Sequence, residues 1–465
     1  MHVLNDPANS NTQLSVYRPA KFLSDNDEPV NRVRCPIHGF IHYSQNERKI
    51  IDHPLFRRLR FIRQLALTEF IYPGATHTRF EHAIGVMDVA TRAFDSIASR
   101  NGELLENTIK TVAGFEEDTM AKARQALRLA ALLHDVGHAS FSHAAEGVVF
   151  KNSSHEKLSV LIVQNENYLG KNIDTNFWAG CANIVGLLIE GGRDLPPQLH
   201  VLKTLVSGEM DADRTDYLLR DSYHCGVEYG KFDHRRMLEC LDIHETEGLG
   251  GLEIALTRDG IHTFEALILG RYQMNTQVYY HRLRRIYDLY LINYHKALSE
   301  EIPDDPSWVL ANNDITMTSR ILADAVNGNA ERKKWANRIA NREHHKMIFE
   351  TGLNLNASGL NHFKTLTTNI KGRFNTLDFL EDISKATIHK ILTPDDQEDT
   401  GLVRLCLKVS TGTYREIGDE SQIFQKIPRR FQQGRIFVDL KDQPEELRRE
   451  VETYATTEWR NLGGN

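Results

Sequence analysis

The sequence predicts a mainly α fold closed by a small α+β lobe at its C-terminal end, and three observations predict it. From about residue 50 to 300, apolar side chains recur every three to four positions, as in Leu55, Leu59, Ile62 and Leu65 and again in Leu127, Ala130, Ala131 and Leu133. That is the period of helices with one buried face. Past residue 400 the period drops to two: Val403, Leu405, Leu407 and Val409 alternate with Arg404, Cys406 and Lys408, and Arg435-Ile-Phe-Val-Asp-Leu440 is a second extended run. Between them, Glu301-Ile-Pro-Asp-Asp-Pro-Ser307 breaks the helical pattern, and a basic stretch with Lys333, Lys334, Arg338 and Arg342 predicts a second helical layer.

Taken in order, residues 1–30 are polar, lack periodicity and read as a weakly ordered lead; 31–300 form the helical core; 301–395 a helical extension; and 396–465 the small α+β lobe, with a boundary near Pro394-Asp-Asp396. Composition narrows function by exclusion. With 56 basic and 63 acidic residues the net charge is -7, so a general nucleic-acid or membrane-surface binder is not expected. The five cysteines are scattered without a C-x-x-C pair, which predicts neither a zinc knuckle nor a disulfide framework and fits a reduced cytoplasm. No apolar run is long enough to cross a bilayer.

The chemistry centres on Ala130-Ala-Leu-Leu-His-Asp-Val-Gly-His138, an apolar helical run that ends in adjacent His134 and Asp135. On a helix these two diverge by about 100°, but at a helix end both can be aimed at one ion beyond the terminus, and Gly137 fits such an ending. His82 lies upstream and Asp213 downstream, giving two imidazoles and two carboxylates. Such a shell suits Fe, Mn, Co, Ni or Zn and leaves positions for water and substrate, with a second, weaker Mg compatible with it. An isolated His-Asp dipeptide is an ordinary hydrogen-bonded pair. The clustering of His138, His143 and His155 nearby favours the metal.

Two further patterns use helical spacing. Asp213, Tyr217 and Asp221 stand at i, i+4 and i+8, and so do Arg271, Asn275 and Tyr279, so each trio shares a helix face. A solvated face is the bland reading of the second; a phosphate clamp with an aromatic for a sugar is the sharper one.

Beyond these residues, Cys35-Pro-Ile-His-Gly39, Ile51-Asp-His-Pro-Leu-Phe-Arg-Arg-Leu-Arg-Phe-Ile-Arg-Gln-Leu65, Tyr72-Pro-Gly-Ala-Thr-His-Thr-Arg-Phe-Glu-His82, Leu133-His-Asp-Val-Gly-His-Ala-Ser-Phe-Ser-His143, His155-Glu156 and Met210-Asp-Ala-Asp-Arg-Thr-Asp-Tyr217 follow in order. Together they resemble the HD-domain phosphohydrolases, and among them the dNTP triphosphohydrolases, over about residues 35 to 440. The likeness is to the catalytic core, without the sterile alpha motif of the family's best-known member.

The resemblance implies that His82, His134, Asp135 and Asp213 hold the metal, and that water attacks the α-phosphorus to release deoxynucleoside and inorganic triphosphate. It assigns the leaving-group proton to His143, oriented by Glu146, and sets His138 and His155 against the phosphates. Gln64, beside Leu65, would read the 3′-hydroxyl, and Tyr217 would crowd C2′ against ribose. Arg79, Arg214, Asp221, Arg271, Asn275 and Tyr279 complete the substrate set. Glu146 stands where the family usually has Asp, Arg214 where it has Lys, and Asn275 where its best-known member has His. The family commonly forms tetramers with activating nucleotides between subunits, for which Asp52, Arg60 and His38 are the matching positions.

The metal motif is shared with HD enzymes that act on cyclic nucleotides, alarmones or monophosphates. An inactive nucleotide sensor or single-strand nucleic-acid binder would keep the same pocket.

Overall fold

The computed structural model describes residues 31–464 except 145, 151–152, 246–249, 299–301, 303–304 and 394–401, and the side chain of His143. The 1–30 lead and the boundary at 394–396 therefore lie outside the described residues. The fold is mainly α, as the periodicity predicts.

Its axis is the helix Arg79–Ile109, apolar around almost its whole circumference through Ile84, Val86, Met87, Val89, Ala90, Phe94 and Ile97, all buried. Up to Ala98 no residue of it is exposed, so that part has to be enclosed by its neighbours, whereas past the kink at Asn101 a polar face opens to solvent. The Ala- and Leu-rich helix Thr119–Leu133 lies on one side and the helix Ala212–Cys225 on another. The latter approaches closely because residue 85 is glycine. A Cβ there would lie 2.0 Å from Asp216 Oδ1 and 2.4 Å from Arg220 Nη2.

The expected helix through Leu55–Leu65 is instead one α turn, Pro54–Arg57, followed by a 3-10 turn, Arg58–Phe61. Phe56, Leu59, Ile62 and Leu65 are buried all the same, while Leu55 is half-buried and Phe61 exposed, and the backbone is bent by the Arg63–Thr78 bridge and by Ala66 at φ 48°. Ahead of it, β1 (Asn31–Cys35) and β2 (Gly39–Tyr43) form an antiparallel hairpin.

Two sheets flank the helices. In the first, β3 (Leu241–Glu245) and β4 (Leu252–Thr257) pair antiparallel, β7 (Cys406–Ser410) joins β4 in parallel, and β8 (Thr413–Glu416) completes it. The second half of the alternating run at 403–409 thus lies in a strand that pairs with β4 of the core, while Val403 makes only an isolated bridge to Ile391. In the second sheet β9 (Arg430–Val438) is the centre, between β5 (Lys346–Glu350) and β6 (Phe379–Thr387).

Helices Ala357–Arg373 and Glu445–Asn461 cover that second sheet around a separate apolar cluster of Phe349, Phe363, Leu366, Ile436, Val451 and Trp459. The elements around this cluster begin with β5 at Lys346. The stretch 301–395, expected to be helical, holds helices Asp314–Asn327 and Ala330–Ala340 but also β5 and β6.

Candidate metal centre and its cleft

Three helices bring the centre together. His134 follows the last turn of Thr119–Leu133, and its Nδ1 bonds the Ala131 carbonyl at 2.8 Å, which leaves Nε2 to carry the lone pair. His82 sits in the first turn of Arg79–Ile109 with Nδ1 2.9 Å from Asp216 Oδ2, so its Nε2 is left in the same state. Asp213 stands in the first turn of Ala212–Cys225, a helix capped by the Asp211 carboxylate.

Asp213 Oδ1 is 3.1 Å from His82 Nε2 and 3.7 Å from His134 Nε2. Both Nε2 atoms are buried and make no hydrogen bond. The three potential ligand atoms lie within 4.8 Å of one another. Two buried lone pairs facing one carboxylate are satisfied by a cation, so the residues present fit a divalent metal. Burial opposes charge on His82, yet Asp213 and Asp216 outweigh it and push its pKa up to about 10, so without a metal a proton takes the place on Nε2 for which a cation would compete.

Asp135 lies between two groups. Its oxygens are 3.4 Å from His134 Nε2, 3.7 Å from His82 Nε2 and 3.3 Å from His138 Nε2. Burial would raise its pKa, but His134, Arg79 and His138 hold it well below the usual carboxylate range. Arg79 hydrogen-bonds Asp135 directly and reaches Ser142 Oγ at 2.8 Å.

His138 stacks on His155 with centroids 3.8 Å apart, and with Asp135 they form a second set of closely spaced ligand atoms. Burial, Arg79 and His155 keep the His138 pKa well below its ordinary value, so this ring is neutral. Glu146, expected to orient His143, hydrogen-bonds His155. The His143 side chain lies outside the described residues. Gly137 has another role than ending a helix: a Cβ would strike the His155 carbonyl at 2.4 Å, so it admits the helix His155–Gln164.

Beside the centre opens a cleft of about 580 Å³ lined by Gln64, Leu65, Arg79, Tyr217, Asp221, Arg271, Asn275 and Tyr279. Asp221 is held between His77 Nε2 and the Tyr279 hydroxyl, each at 2.7 Å. Burial, against Arg271 and Arg214, pushes the Tyr217 hydroxyl up to about 12, so it stays neutral. Gln64 Oε1 is buried without a hydrogen bond. Asn275 to Tyr279 form a π turn after the helix Ile261–Met274, so the expected regular helix is widened there, and Asn275 donates back to the Arg271 carbonyl at 2.8 Å.

Two expected contacts are elsewhere. Arg214 does not line the cleft; it bonds the Gly208 carbonyl and lies 3.2 Å from Glu209. His38 is buried, with Nε2 2.6 Å from Asp216 Oδ1, and so is not exposed for an activator, whereas Asp52 and Arg60 are exposed.

Sequence reasoning gave no role to Asp216, Arg220, His77, Glu209 or Lys385, the last brought to the cleft by β6. Asp216 and Arg220 form an i, i+4 acid–base pair, a spacing that could have marked them.

Residues 79–216 match the HD domain and residues 232–369 the HD associated region, so the chain carries an HD domain followed by that region. Among curated proteins, an uncharacterized protein of Methanocaldococcus jannaschii is 32% identical over 272 residues, 58% of this chain and 50% of that protein. Uncharacterized YwfO of Bacillus subtilis is 30% identical over 252 residues, 54% of this chain and 52% of that protein.

The deoxynucleoside triphosphate triphosphohydrolase SAMHD1 of Bos taurus is a homologue over the catalytic core, 27% identical over 285 residues, 54% of this chain and 46% of that protein. The matches span about half the length of these relatives. A crystal structure of a hypothetical protein from Aquifex aeolicus shares the fold, with a TM-score of 0.71 at 23% identity over 91% of this chain and 99% of that one.

Proposed function

We propose that this chain is a metal-dependent phosphohydrolase that cleaves deoxynucleoside triphosphates at the α-phosphorus, releasing deoxynucleoside and inorganic triphosphate. The observation that supports it best is the shared wall: Arg79 lines the cleft and also holds Asp135 at the edge of the metal centre. A divalent ion held by His82, His134, Asp213 and Asp135 supplies Lewis acidity and lowers the pKa of water when bound.

The chain's own groups do the rest. Arg79, Arg271, Arg284, Arg285 and Lys385 bring positive charge to the cleft for phosphates. Neutral His138 accepts or donates a hydrogen bond without repelling Arg79. Tyr217 and Tyr279, 6.2 Å apart edge to face, offer a narrow seat for a sugar without a 2′-hydroxyl, and the unpartnered Gln64 Oε1 can accept from a 3′-hydroxyl. His143 is assigned the proton for the departing 5′-oxygen, with the Glu146–His155 pair beside the phosphates.

Asp52 and Arg60 remain the assigned contacts for an activating nucleotide in a homotetramer. The five cysteines, all free, suit a reduced cytoplasm.

The test is to incubate the protein with each dNTP, each NTP and a divalent metal and to resolve the products. Deoxynucleoside with triphosphate is expected. Orthophosphate, pyrophosphate or a 5′-monophosphate as product would refute the reading in favour of another HD chemistry, and binding without turnover would favour a sensor. Combined His134→Ala and Asp135→Ala should abolish turnover.

A further inference from the structure

His38 lies in the Pro36-Ile-His38 turn between β1 and β2, far in sequence from the helix it meets, and its Nε2 is 2.6 Å from Asp216 Oδ1. The other oxygen of Asp216 holds His82 Nδ1 at 2.9 Å, and Arg220 donates to both oxygens at 2.8 Å. Arg220 Nη2 also reaches Cys35 Sγ, the last residue of β1, at 3.4 Å. Asp216, Arg220 and His38 are all buried, and Gly85 leaves the space in which the carboxylate and guanidinium meet.

This carboxylate does one thing for the metal centre. By accepting the Nδ1 proton of His82 it fixes the tautomer and the ring plane, and so leaves the lone pair on the Nε2 that faces Asp213. His38 and Arg220 fix the carboxylate in turn. We propose that the β1–β2 turn is a positioning element of the metal centre: His38 holds Asp216, Asp216 holds His82, and metal affinity is thereby tied to the seating of the hairpin. The inference rests on the metal-centre reading above. Linkage adds a second consequence: if the seated turn favours the metal, the metal must favour the seated turn.

Cobalt(II) is the probe, because its visible spectrum reports ligand geometry and calorimetry gives its affinity. His38→Ala is expected to weaken cobalt binding about tenfold, the low end of the range for losing an outer hydrogen bond to a ligating histidine, because His38 acts one bond further out through Asp216, and to alter the spectrum. His38→Gln, whose amide can donate to the same oxygen, should recover most of both. Hydrogen exchange on the unmutated protein needs no variant: cobalt should slow amide exchange across residues 35–41.

Cobalt affinity and spectrum unchanged in folded His38→Ala, failure of His38→Gln to recover them, or hairpin exchange indifferent to cobalt would each overturn the proposal. Absence of any cobalt spectrum from the unmutated protein is a separate failure, since it removes the metal centre itself.

Discussion

Gly85→Ala adds one methyl group at the crossing of the helices Arg79–Ile109 and Ala212–Cys225, and the structure sets the size of its effect. The new Cβ would lie 2.0 Å from Asp216 Oδ1 and 2.4 Å from Arg220 Nη2, whereas tolerable contact is about 3.4 Å, so Asp216 or the helix has to move by about 1.4 Å. Asp216 cannot move that far and keep its bonds of 2.6 Å to His38 and 2.9 Å to His82. Each hydrogen bond to a charged group contributes about 1.5–3 kcal/mol, and overpacking alone costs about 1–3 kcal/mol.

We therefore expect Gly85→Ala to lose about 3 kcal/mol or more, with weakened metal binding, read from guanidinium unfolding by circular dichroism and from cobalt titration. Gly102→Ala in the same helix is the control. A Cβ there meets nothing within 4 Å, and the position follows the kink at Asn101, so the substitution should change stability by no more than about 0.5 kcal/mol. A Gly85→Ala protein within about 0.5 kcal/mol of its parent would refute the account of the crossing.

Other outcomes follow from the same geometry. Glu209 lies 3.2 Å from Arg214 and 4.0 Å from Arg271, and its Oε2 is buried without a hydrogen bond; Glu209→Gln should remove a buried negative charge beside Arg271 and tighten inorganic tripolyphosphate binding about tenfold by calorimetry, and weaker binding would show that the carboxylate positions the arginines. His295 is fully buried and its pKa is held down to about 4, by burial foremost, below the unfolded value near 6.5. Its contribution is thus present above about pH 6.5 and is lost as pH falls toward 4, about 3 kcal/mol in all. Unfolding free energies at pH 7 and pH 4.5 should converge in His295→Gln relative to the parent; parallel losses would refute this.

The helical core was legible because its apolar residues keep a period of three to four. The lobe boundary was not, and β6 shows why. Its inward positions carry Asp382 and Ser384, because Asp382 meets Arg285 at 2.6 Å and Ser384 accepts from Arg435. An ion-paired interior erases the alternation by which strands are read.

At the site, residue type and the end of a helical run marked His134 and Asp135. The pairing of His38 with Asp216 joins positions 178 residues apart through a turn without periodicity, so nothing local announced it. Arg214 had the right charge, but three neighbours compete for its guanidinium, Gly208, Glu209 and Asp211. Sequence spacing carries no information about such competition.

The cleft draws its wall from distant parts of the chain: Gln64 and Arg79 early, Tyr217 and Asp221 midway, Arg271 and Tyr279 after the matched HD segment, and Lys385 and Thr387 from the strand that opens toward the lobe. Arg271 is even tied by its Nη1 to the Ile388 carbonyl, one residue past β6, at 2.8 Å. The candidate metal ligands and most of the cleft wall thus come from different stretches of the chain, joined at Arg79. A graft of residues 79–216 into another protein would carry His82, His134, Asp135 and Asp213 with it, but it would leave behind most of the cleft wall and also the His38 and Arg220 that hold Asp216 against His82.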